Sequence, residues 1–315
     1  MAIEKVMVAG GGVLGSQIAF QSAFRGIDTV IWLRSENFFT ETKTKLDEVR
    51  DKLIESIELM DTEAGKTPEN WCNGISDYES FDKEALLARV EKARSSIVCL
   101  TDLKAACAGR ELIVESIPEN QDTKTSFFKM LATVAEPKTV VVTSSSTFIP
   151  STFAKASGRP EKFLALHFSN KVWKNNIAEI MVHSGTSNES FNIVYEYAQQ
   201  IGMMPLPIRK ENKGYLLNAM LLPFMFSALN MVVKGISDPQ SIDTAWKVGT
   251  GAPRGPFEIA DSVGLKAVND IVSNYLKIPS FLAPYDFKGI AALLKSYLDA
   301  GKLGKISGEG FYKYK

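Results

Sequence analysis

A glycine pattern near the N-terminus constrains the fold of this chain more than any other feature. Residues 6–20 read VMVAGGGVLGSQIAF, in which an apolar strand-like run leads through Gly10, Gly12 and Gly15 into a helix-like one. In this context the first glycine permits a tight turn, the second lets a pyrophosphate approach the backbone, and the third lets helix and strand pack closely. We predict a dinucleotide-binding loop that includes Val13 and Leu14. The alternative is a structural turn that binds nothing.

The end of the second predicted strand indicates which dinucleotide this loop would hold. The run TVIWL ends at Leu33 and is followed by Arg34 and Ser35, with no acidic residue before Glu36. A carboxylate at this place would hydrogen-bond an adenosine ribose, whereas Arg34 and Ser35 can contact a 2′-phosphate. We therefore predict a site at Leu33, Arg34 and Ser35 that favours NADP(H). In the alternative, Arg34 stacks on adenine from the surface and NAD is accepted.

The rest of the chain predicts two domains. Strand candidates alternate with helical stretches to about residue 205, except that residues 36–94 form a charged helical arm. From residue 206 to 315 the pattern is helical only. We therefore expect an α/β fold, a Rossmann-type doubly wound sheet over residues 1–205, followed by an all-helical domain over 206–315. The predicted strands are residues 4–9, 29–33, 97–100, 112–115, 139–143, 163–168, 177–182 and 205–208.

Composition and charge exclude several classes of protein. Lys plus Arg equals Asp plus Glu at 36 each, so no net basic field favours nucleic acid or an anionic membrane. No uncharged apolar run reaches the roughly 18 residues of a membrane-spanning helix, and the N-terminus lacks a signal-peptide pattern. The three cysteines show neither zinc-site nor disulfide-framework spacing. We expect a soluble cytoplasmic protein with no metal site and no nucleic-acid or membrane partner.

Histidine is scarce, and its positions are informative. The chain has two, His167 in FLALHFSN and His183 in IMVHSG. His167 ends an apolar strand that needs no histidine for packing, and a general acid or base near neutral pH is most often histidine. Glu179 lies in the next strand, where a strand-turn-strand excursion can bring its carboxylate behind the imidazole. The alternatives are a capped or solvated histidine and an outward-facing glutamate.

Hydroxyl and amide groups mark two further positions. TVVVTSSST, residues 139–147, runs from a strand into a serine cluster, at the strand end where doubly wound sheets bind ligands. The alternative for these serines is a helix cap. Asn218 interrupts the apolar run LLNAMLLPFMFSALNMVV, either as an amide that polarises a carbonyl or as a polar contact between helices.

Taken together, these segments resemble the 3-hydroxyacyl-CoA dehydrogenase family over nearly the whole chain. The resemblance is carried by VMVAGGGVLGSQIA, IVESIPEN, TSSSTFIPS, ALHFSNKVWKNNIAEI, KGYLLNAMLLP, IDTAWKVGTGAPRGPFEIADSVGL and GEGFYKYK. It implies a Rossmann-type domain with a helical arm, a helical dimerisation domain and hence a homodimer. It also implies hydride transfer between a nicotinamide cofactor and C3 of a short-chain 3-hydroxyacyl-CoA.

The resemblance implies roles for individual residues. His167 matches the family's catalytic base, Glu179 its carboxylate partner and Asn218 its catalytic asparagine. Ser145 best matches the catalytic serine, although the run of three leaves Ser144 or Ser146 possible. The further residues that the resemblance places at the cofactor are Glu115, Lys124 and Asn170, together with Ser145.

Two positions depart from the family pattern. Leu33 stands where the family usually has Asp, so a preference for NAD does not carry over. The family's HFxNP motif continues differently after Asn170, and we expect Trp173 to restrict the site to short acyl groups and Lys171 or Lys174 to meet an acidic group. A reductase of a free 3-oxo acid, other hydroxy acid or diketone with the same catalytic residues is the alternative. A nucleotide-binding protein without catalysis is the third possibility.

Overall fold

The computed structural model describes residues 2–314 and divides into two compact units, the second beginning at Leu217. This division lies beyond the predicted boundary at residue 205, because the strand Met204–Ile208 pairs along its whole length with the strand Ile177–Met181 and so belongs to the first unit. The predicted fold class, a doubly wound sheet followed by helices, is confirmed.

Eight strands form a single sheet in the first unit, and each matches a predicted strand. They are β1 Lys5–Ala9, β2 Asp28–Trp32, β3 Val98–Leu100, β4 Leu112–Glu115, β5 Val140–Thr143, β6 Phe163–Phe168, β7 Ile177–Met181 and β8 Met204–Ile208. Their spatial order is β3-β2-β1-β4-β5-β6-β7-β8. Neighbours are parallel except β6 and β7, which are antiparallel. Strands β1 to β6 therefore end at one edge, where a doubly wound sheet binds its ligands, and β7 and β8 run in the opposite direction.

Helices cover both faces of this sheet, so its strands are apolar on both sides. In β1, Val6 and Val8 join one hydrophobic cluster while Met7 and Ala9 join the other. The helices of the first unit are α1 Val13–Phe24, α2 Phe39–Met60, α3 Lys83–Ser96, α4 Leu103–Cys107, α5 Gln121–Ala132, α6 Ser151–Ala154 and α7 Asn188–Gln200. The predicted helical arm corresponds to α2 and α3.

The second unit contains helices α8 Leu217–Val233, α9 Pro239–Thr250, α10 Pro256–Val263, α11 Leu265–Tyr275 and α12 Phe287–Asp299. Its core includes Phe226 and Phe257. The buried carboxylate of Asp261 accepts hydrogen bonds from the backbone N–H groups of Phe311 and Tyr312 at 2.9 and 3.0 Å, which fastens the C-terminal segment to α10. Across residues 2–314, no helix has the length and apolar character needed to cross a membrane.

Candidate active site

A cleft of about 1340 Å³ opens at the carboxyl ends of β1, β2, β4, β5 and β6. Small-molecule pockets commonly measure about 300–1,000 Å³, so this cleft has room for a dinucleotide and a second ligand. The predicted site residues that line it are Gly12, Val13, Leu14, Gly15, Leu33, Arg34, Lys124, His167 and Asn170.

The glycine loop fits a bound pyrophosphate. Gly10 has a φ of +111°, and a side chain there would collide with the backbone of Ser116. A side chain on Gly15 would collide with the backbone of Gly10, whereas one on Gly12 would meet open space. No side chain caps the N-terminus of α1, so its N–H groups are left for a ligand. The three glycines thus divide the roles that the sequence predicted, since Gly10 and Gly15 shape the turn and Gly12 opens it to the cleft.

The adenosine end of the predicted site is only partly as expected. Leu33 and Arg34 line the cleft, and the Arg34 guanidinium lies 4.9 Å from the ring centroid of Phe38. Ser35 is not among the residues that line the cleft, and its role as a cofactor ligand stays a prediction. Its Oγ accepts a hydrogen bond from the Asn37 N–H at 3.3 Å and caps the short turn that follows β2.

Two charged residues that the sequence reasoning missed lie at the same end of the cleft. Glu41 and Lys45, one helical turn apart near the start of α2, line the cleft and form an ion pair with each other. Glu36, the first acidic residue after β2, is not among the residues that line the cleft. Since α2 begins at the strand ends, its first turns present side chains to the same place, and an i, i+4 Glu–Lys pair there was the available signal.

The structure brings His167 and Glu179 together, as their spacing predicted. The antiparallel register of β6 and β7 places the two residues opposite each other, with His167 Nδ1 2.7 Å from Glu179 Oε2. Since a carboxylate only accepts hydrogen bonds, Nδ1 is the protonated nitrogen, which leaves Nε2 with the lone pair. The other carboxylate oxygen accepts the backbone N–H of Leu216 at 2.7 Å. The glutamate is 1% exposed, and each of its carboxylate oxygens accepts a hydrogen bond.

The serine cluster separates into residues that line the cleft and one that does not. Ser144 and Ser146 line it, and within residues 2–314 neither hydroxyl makes a hydrogen bond. Ser145 is 2% exposed and does not line it. Its Oγ donates to Glu119 and accepts the Phe148 N–H at 2.9 Å, so it stabilises this turn. Its role as the ligand-facing serine, which the resemblance favours, stays a prediction.

Glu119 is a third residue that the sequence reasoning did not single out. Its carboxylate accepts the N–H and the hydroxyl of Thr147 at 3.1 and 2.7 Å, in addition to the Ser145 hydroxyl. Burial opposes its ionisation, but the hydrogen bond from Ser145 and the charge of Lys124 outweigh burial and lower the pKa of Glu119. Glu119 therefore holds the serine turn as a charged acceptor. It stands in IVESIPEN just after β4, one strand away from the serines.

Glu115 and Lys124 form a buried ion pair at the base of the cleft. Lys124 Nζ lies 2.5 Å from Glu115 Oε1, 3.2 Å from Glu119 Oε2 and 3.1 Å from the Ile117 carbonyl oxygen. Burial raises the pKa of Glu115, against the opposing effect of Lys124. Glu115 is 0% exposed and is not among the residues that line the cleft, so its contact with the cofactor stays a prediction. Both residues support the turn that carries Glu119.

The segment after Asn170 packs against the arm through Trp173. Trp173 is 5% exposed, packs in the core and donates its indole N–H to Ser56 Oγ of the arm at 3.2 Å. Trp173, Lys171 and Lys174 are not among the residues that line the cleft, and their roles in shaping an acyl site stay predictions. Indole packing against the arm is favourable, because an apolar ring is more stable buried than at an open cleft.

Two residues that the sequence analysis singled out remain. Asn218 is the second residue of α8, in the second unit, and its role stays a prediction. His183 follows β7, outside the residues that line the cleft.

Two family models together match almost the whole chain. The model described as 3-hydroxyacyl-CoA dehydrogenase, NAD binding domain, matches residues 5–212, and that described as 3-hydroxyacyl-CoA dehydrogenase, C-terminal domain, matches residues 214–314. The boundary between them lies close to the end of the first structural unit at Leu216.

Named relatives cover the same length. A probable 3-hydroxybutyryl-CoA dehydrogenase of Deinococcus radiodurans is 30% identical over 98% of this chain and 100% of its own length. The human mitochondrial hydroxyacyl-coenzyme A dehydrogenase is 29% identical over 99% of this chain and 92% of its own. Among solved structures, a diketoreductase described by its substrate-directed dual catalysis of dicarbonyl compounds is 38% identical, with a TM-score of 0.84 over 100% of both chains.

Proposed function

The chain belongs to the 3-hydroxyacyl-CoA dehydrogenase family, and we propose that it interconverts a short-chain 3-hydroxyacyl-CoA and its 3-oxo counterpart with a nicotinamide cofactor. The observation that carries this proposal is the pairing of His167 with Glu179 at the wall of a cleft that also contains the glycine loop. When bound, the nicotinamide would accept hydride from C3 in oxidation and return it in reduction. The chain's own residues would manage the proton and the oxygen.

His167 is proposed as the general base and acid. Its Nδ1–H is engaged by Glu179, so Nε2 takes the proton of the C3 hydroxyl in oxidation and returns it to the developing alkoxide in reduction. Glu179 fixes the tautomer and stabilises the imidazolium by its negative charge. General acid–base catalysis of this kind contributes roughly 10²–10⁴-fold to a rate.

Ser146 is proposed to hydrogen-bond the substrate oxygen. Its support is that it lines the same cleft as His167, while the hydroxyl of Ser145 is already engaged. A donor placed at an oxygen that gains charge during reduction stabilises the transition state more than the ground state. Ser144 is a second hydroxyl on the same wall, and Asn218 is proposed, from the family resemblance, to polarise the same carbonyl.

The proposed cofactor is a nicotinamide dinucleotide held by the glycine loop, with NADP(H) preferred. The open backbone at Gly12 and the uncapped start of α1 suit the pyrophosphate. Arg34 lines the adenosine end, where Leu33 supplies no carboxylate. Lys45 adds a positive charge there that is offset by Glu41, so the preference rests mainly on Arg34.

A second candidate is the reduction of a diketone or a free 3-oxo acid without CoA. It is favoured by the 38% identity with a structure described as a diketoreductase, which exceeds the identity with the coenzyme A dehydrogenases above. The proton transfer through His167 is the same for both candidates. They differ in whether the thioester carrier is recognised.

The deciding experiment is a turnover assay on acetoacetyl-CoA, acetoacetate and a simple diketone, each with NADH and with NADPH. The first proposal expects the highest kcat/KM on acetoacetyl-CoA, and the second expects it on a substrate without CoA. Binding of the cofactor with no turnover on any of these carbonyls would contradict both. The cofactor preference is wrong if NADH gives the higher kcat/KM on the best substrate.

The role of Arg34 has its own test. Arg34→Ala is expected to raise the KM for NADPH while leaving the KM for NADH nearly unchanged, since only the former carries a 2′-phosphate. Lys104→Ala, which changes a lysine outside the cleft on α4, is the matched control. Equal increases for the two cofactors would show that Arg34 contacts adenine rather than phosphate.

Two further expectations also stand as proposals, a homodimer and a cytoplasmic location. Support for the homodimer comes from large apolar side chains at the surface of the second unit, such as Met220 on α8, which is 66% exposed, and Phe281, which is 86% exposed. Light scattering on the purified chain should give a mass of two protomers, and a monomer at micromolar concentration would contradict this.

A further inference from the structure

Tyr215 lies against the imidazole of His167. The two ring centroids are 4.6 Å apart and the ring planes differ by 29°, which is a stacked arrangement. Tyr215 is 1% exposed and lies in the same unit as His167. It is thus a large buried side chain in direct contact with the proposed base, yet it is not among the residues that line the cleft.

The backbone of Tyr215 is in an unfavourable conformation. Its φ is +58°, and it follows Gly214, whose φ is +82°. Only Lys171 and Tyr215 combine a side chain with positive φ among residues 2–314. A bulky residue in the left-handed region is strained, and such strain persists only where the surrounding structure fixes the residue in place.

Hydrogen bonds fix this segment on both sides of the ring. The Tyr215 N–H donates to the Asn212 carbonyl at 3.1 Å, and the Asn212 side-chain amide donates to the Tyr215 carbonyl at 2.7 Å. The next residue, Leu216, donates its N–H to Glu179. The Tyr215 hydroxyl is 3.4 Å from the carbonyl oxygen of Phe148, at the end of the serine turn. The strained turn therefore connects the ring to both the carboxylate and the serine turn.

We propose that Tyr215 is a positioning residue for His167, whose stacked ring fixes the plane of the imidazole so that Nε2 faces the cleft. The hydrogen bond to Glu179 fixes where Nδ1 lies, but a single bond leaves the ring free to rock about that contact. Packing against one face of the imidazole removes this freedom. The inference rests on the proposed function, because orientation of Nε2 matters only if His167 transfers a proton.

Tyr215 is not itself the proton donor. Burial raises the pKa of its phenol, and the surrounding carboxylates Glu119, Glu179, Glu115 and Glu211 raise it further. The hydroxyl therefore remains protonated at neutral pH, and it is directed at the Phe148 carbonyl rather than into the cleft. What Tyr215 contributes is the face of its ring, and phenylalanine would supply the same face.

The chain permits a direct observation of this contact, because it has only two histidines. In the full-length protein with histidine-selective isotope labels, His183→Gln assigns the two sets of imidazole signals. An imidazole stacked on an aromatic face has its ring-proton signals displaced upfield. We expect this displacement for His167 in the wild type and in Tyr215→Phe, and its loss in Tyr215→Leu and Tyr215→Gly.

Kinetics on the same variants test whether the contact matters. Tyr215→Leu and Tyr215→Gly are expected to lower kcat by up to about 10²-fold, as misplacement of a reacting group does, with the cofactor dissociation constant unchanged. Tyr215→Phe should retain kcat. The glycine variant relieves the strained φ, so it separates loss of the ring from loss of folding. Tyr195→Leu, on α7 and outside the cleft, controls for removal of a partly buried tyrosine.

The outcomes separate this inference from the proposed function. If Tyr215→Gly lost the upfield displacement and kept wild-type kcat, the inference would be overturned while the dehydrogenase proposal stood. If no displacement were seen in the wild type, the stacking itself would be refuted. A wild type that showed the displacement but turned over no carbonyl would overturn the proposed function and still support the placement of the imidazole by Tyr215.

Discussion

The two histidines of the chain are equally buried, at 7% exposure each, and lie at opposite ends of the β6–β7 pair, yet their surroundings differ completely. His183 Nε2 donates to the Pro160 carbonyl at 3.0 Å, and its Nδ1 accepts the Gly185 N–H at 3.0 Å, so the backbone occupies both nitrogens. His167 gives one nitrogen to Glu179 and lies at the cleft wall. Partners, rather than burial, distinguish a candidate base from a structural histidine.

The sharpest test of this comparison is to remove each imidazole in turn. His167→Gln is expected to lower kcat by roughly 10²–10⁴-fold, because an amide cannot exchange the proton, while cofactor binding is retained. His183→Gln is the matched control and should leave kcat unchanged. Steady-state turnover and cofactor titration of both variants check the prediction. Near wild-type turnover in His167→Gln would exclude it as the base.

A second test makes the partner of His167 neutral, as the backbone partners of His183 are. Glu179→Gln removes the charge that stabilises the imidazolium and no longer specifies the Nδ1–H tautomer. We expect a loss in kcat of about 10²-fold, at the lower end of the range for loss of the base. The pH dependence of kcat should also change, because a neutral amide no longer stabilises the charged imidazolium relative to the neutral imidazole. An unchanged pH profile would count against the pairing.

Ser145 and Ser146 offer the same comparison between a side chain engaged within the protein and one that lines the cleft. Ser146→Ala is expected to reduce kcat/KM by about tenfold, less than the loss measured for fully enclosed oxyanion donors, because Ser146 is exposed. Ser145→Ala should instead lower the free energy of unfolding by about 1 kcal/mol through loss of its hydrogen bonds to Glu119 and Phe148. Kinetics and denaturant unfolding on both variants measure this contrast. The reverse result would reassign the ligand-facing serine to Ser145.

The smallest expected effect concerns His183. His183→Gln should lower the free energy of unfolding by about 1–2 kcal/mol, because two backbone groups lose their buried partner. His167→Gln removes one donor from the buried carboxylate of Glu179, so a loss of stability of similar size is expected there. Urea unfolding followed by circular dichroism measures both losses. An unchanged free energy of unfolding in His183→Gln would contradict the structural role of His183.

Much of the fold could be predicted because its signals are local. Each strand appears in the sequence as a short apolar run, and the dinucleotide loop appears as a fixed spacing of glycines. The arm helix α2 appears as an apolar stripe whose members are all buried, namely Leu46, Val49, Leu53, Ile57 and Met60. The place of His167 and Glu179 followed from two adjacent strands separated by a short excursion. These features depend on periods of two and 3.6 residues, which a sequence displays directly.

Three side chains whose position in the sequence indicates a ligand contact have partners within the protein. Ser35 and Ser145 cap turns, and Trp173 packs against the arm. Each of these side chains has suitable chemistry for two kinds of partner, and the structure shows the partner that lies nearby in the protein. A hydroxyl next to a free backbone N–H satisfies it locally, whatever the spacing suggests about a ligand.

The sequence by itself determined that this chain forms a doubly wound sheet with a dinucleotide loop, followed by helices, and that it carries a histidine and a glutamate on adjacent strands. Only the tertiary structure decided which serines line the cleft, that Glu119 holds their turn, and that Tyr215 stacks on His167. Local periodicity sets which face of an element is buried. Contacts between residues far apart in the chain, such as Tyr215 and His167, depend on how whole elements pack, and no short stretch of sequence encodes that.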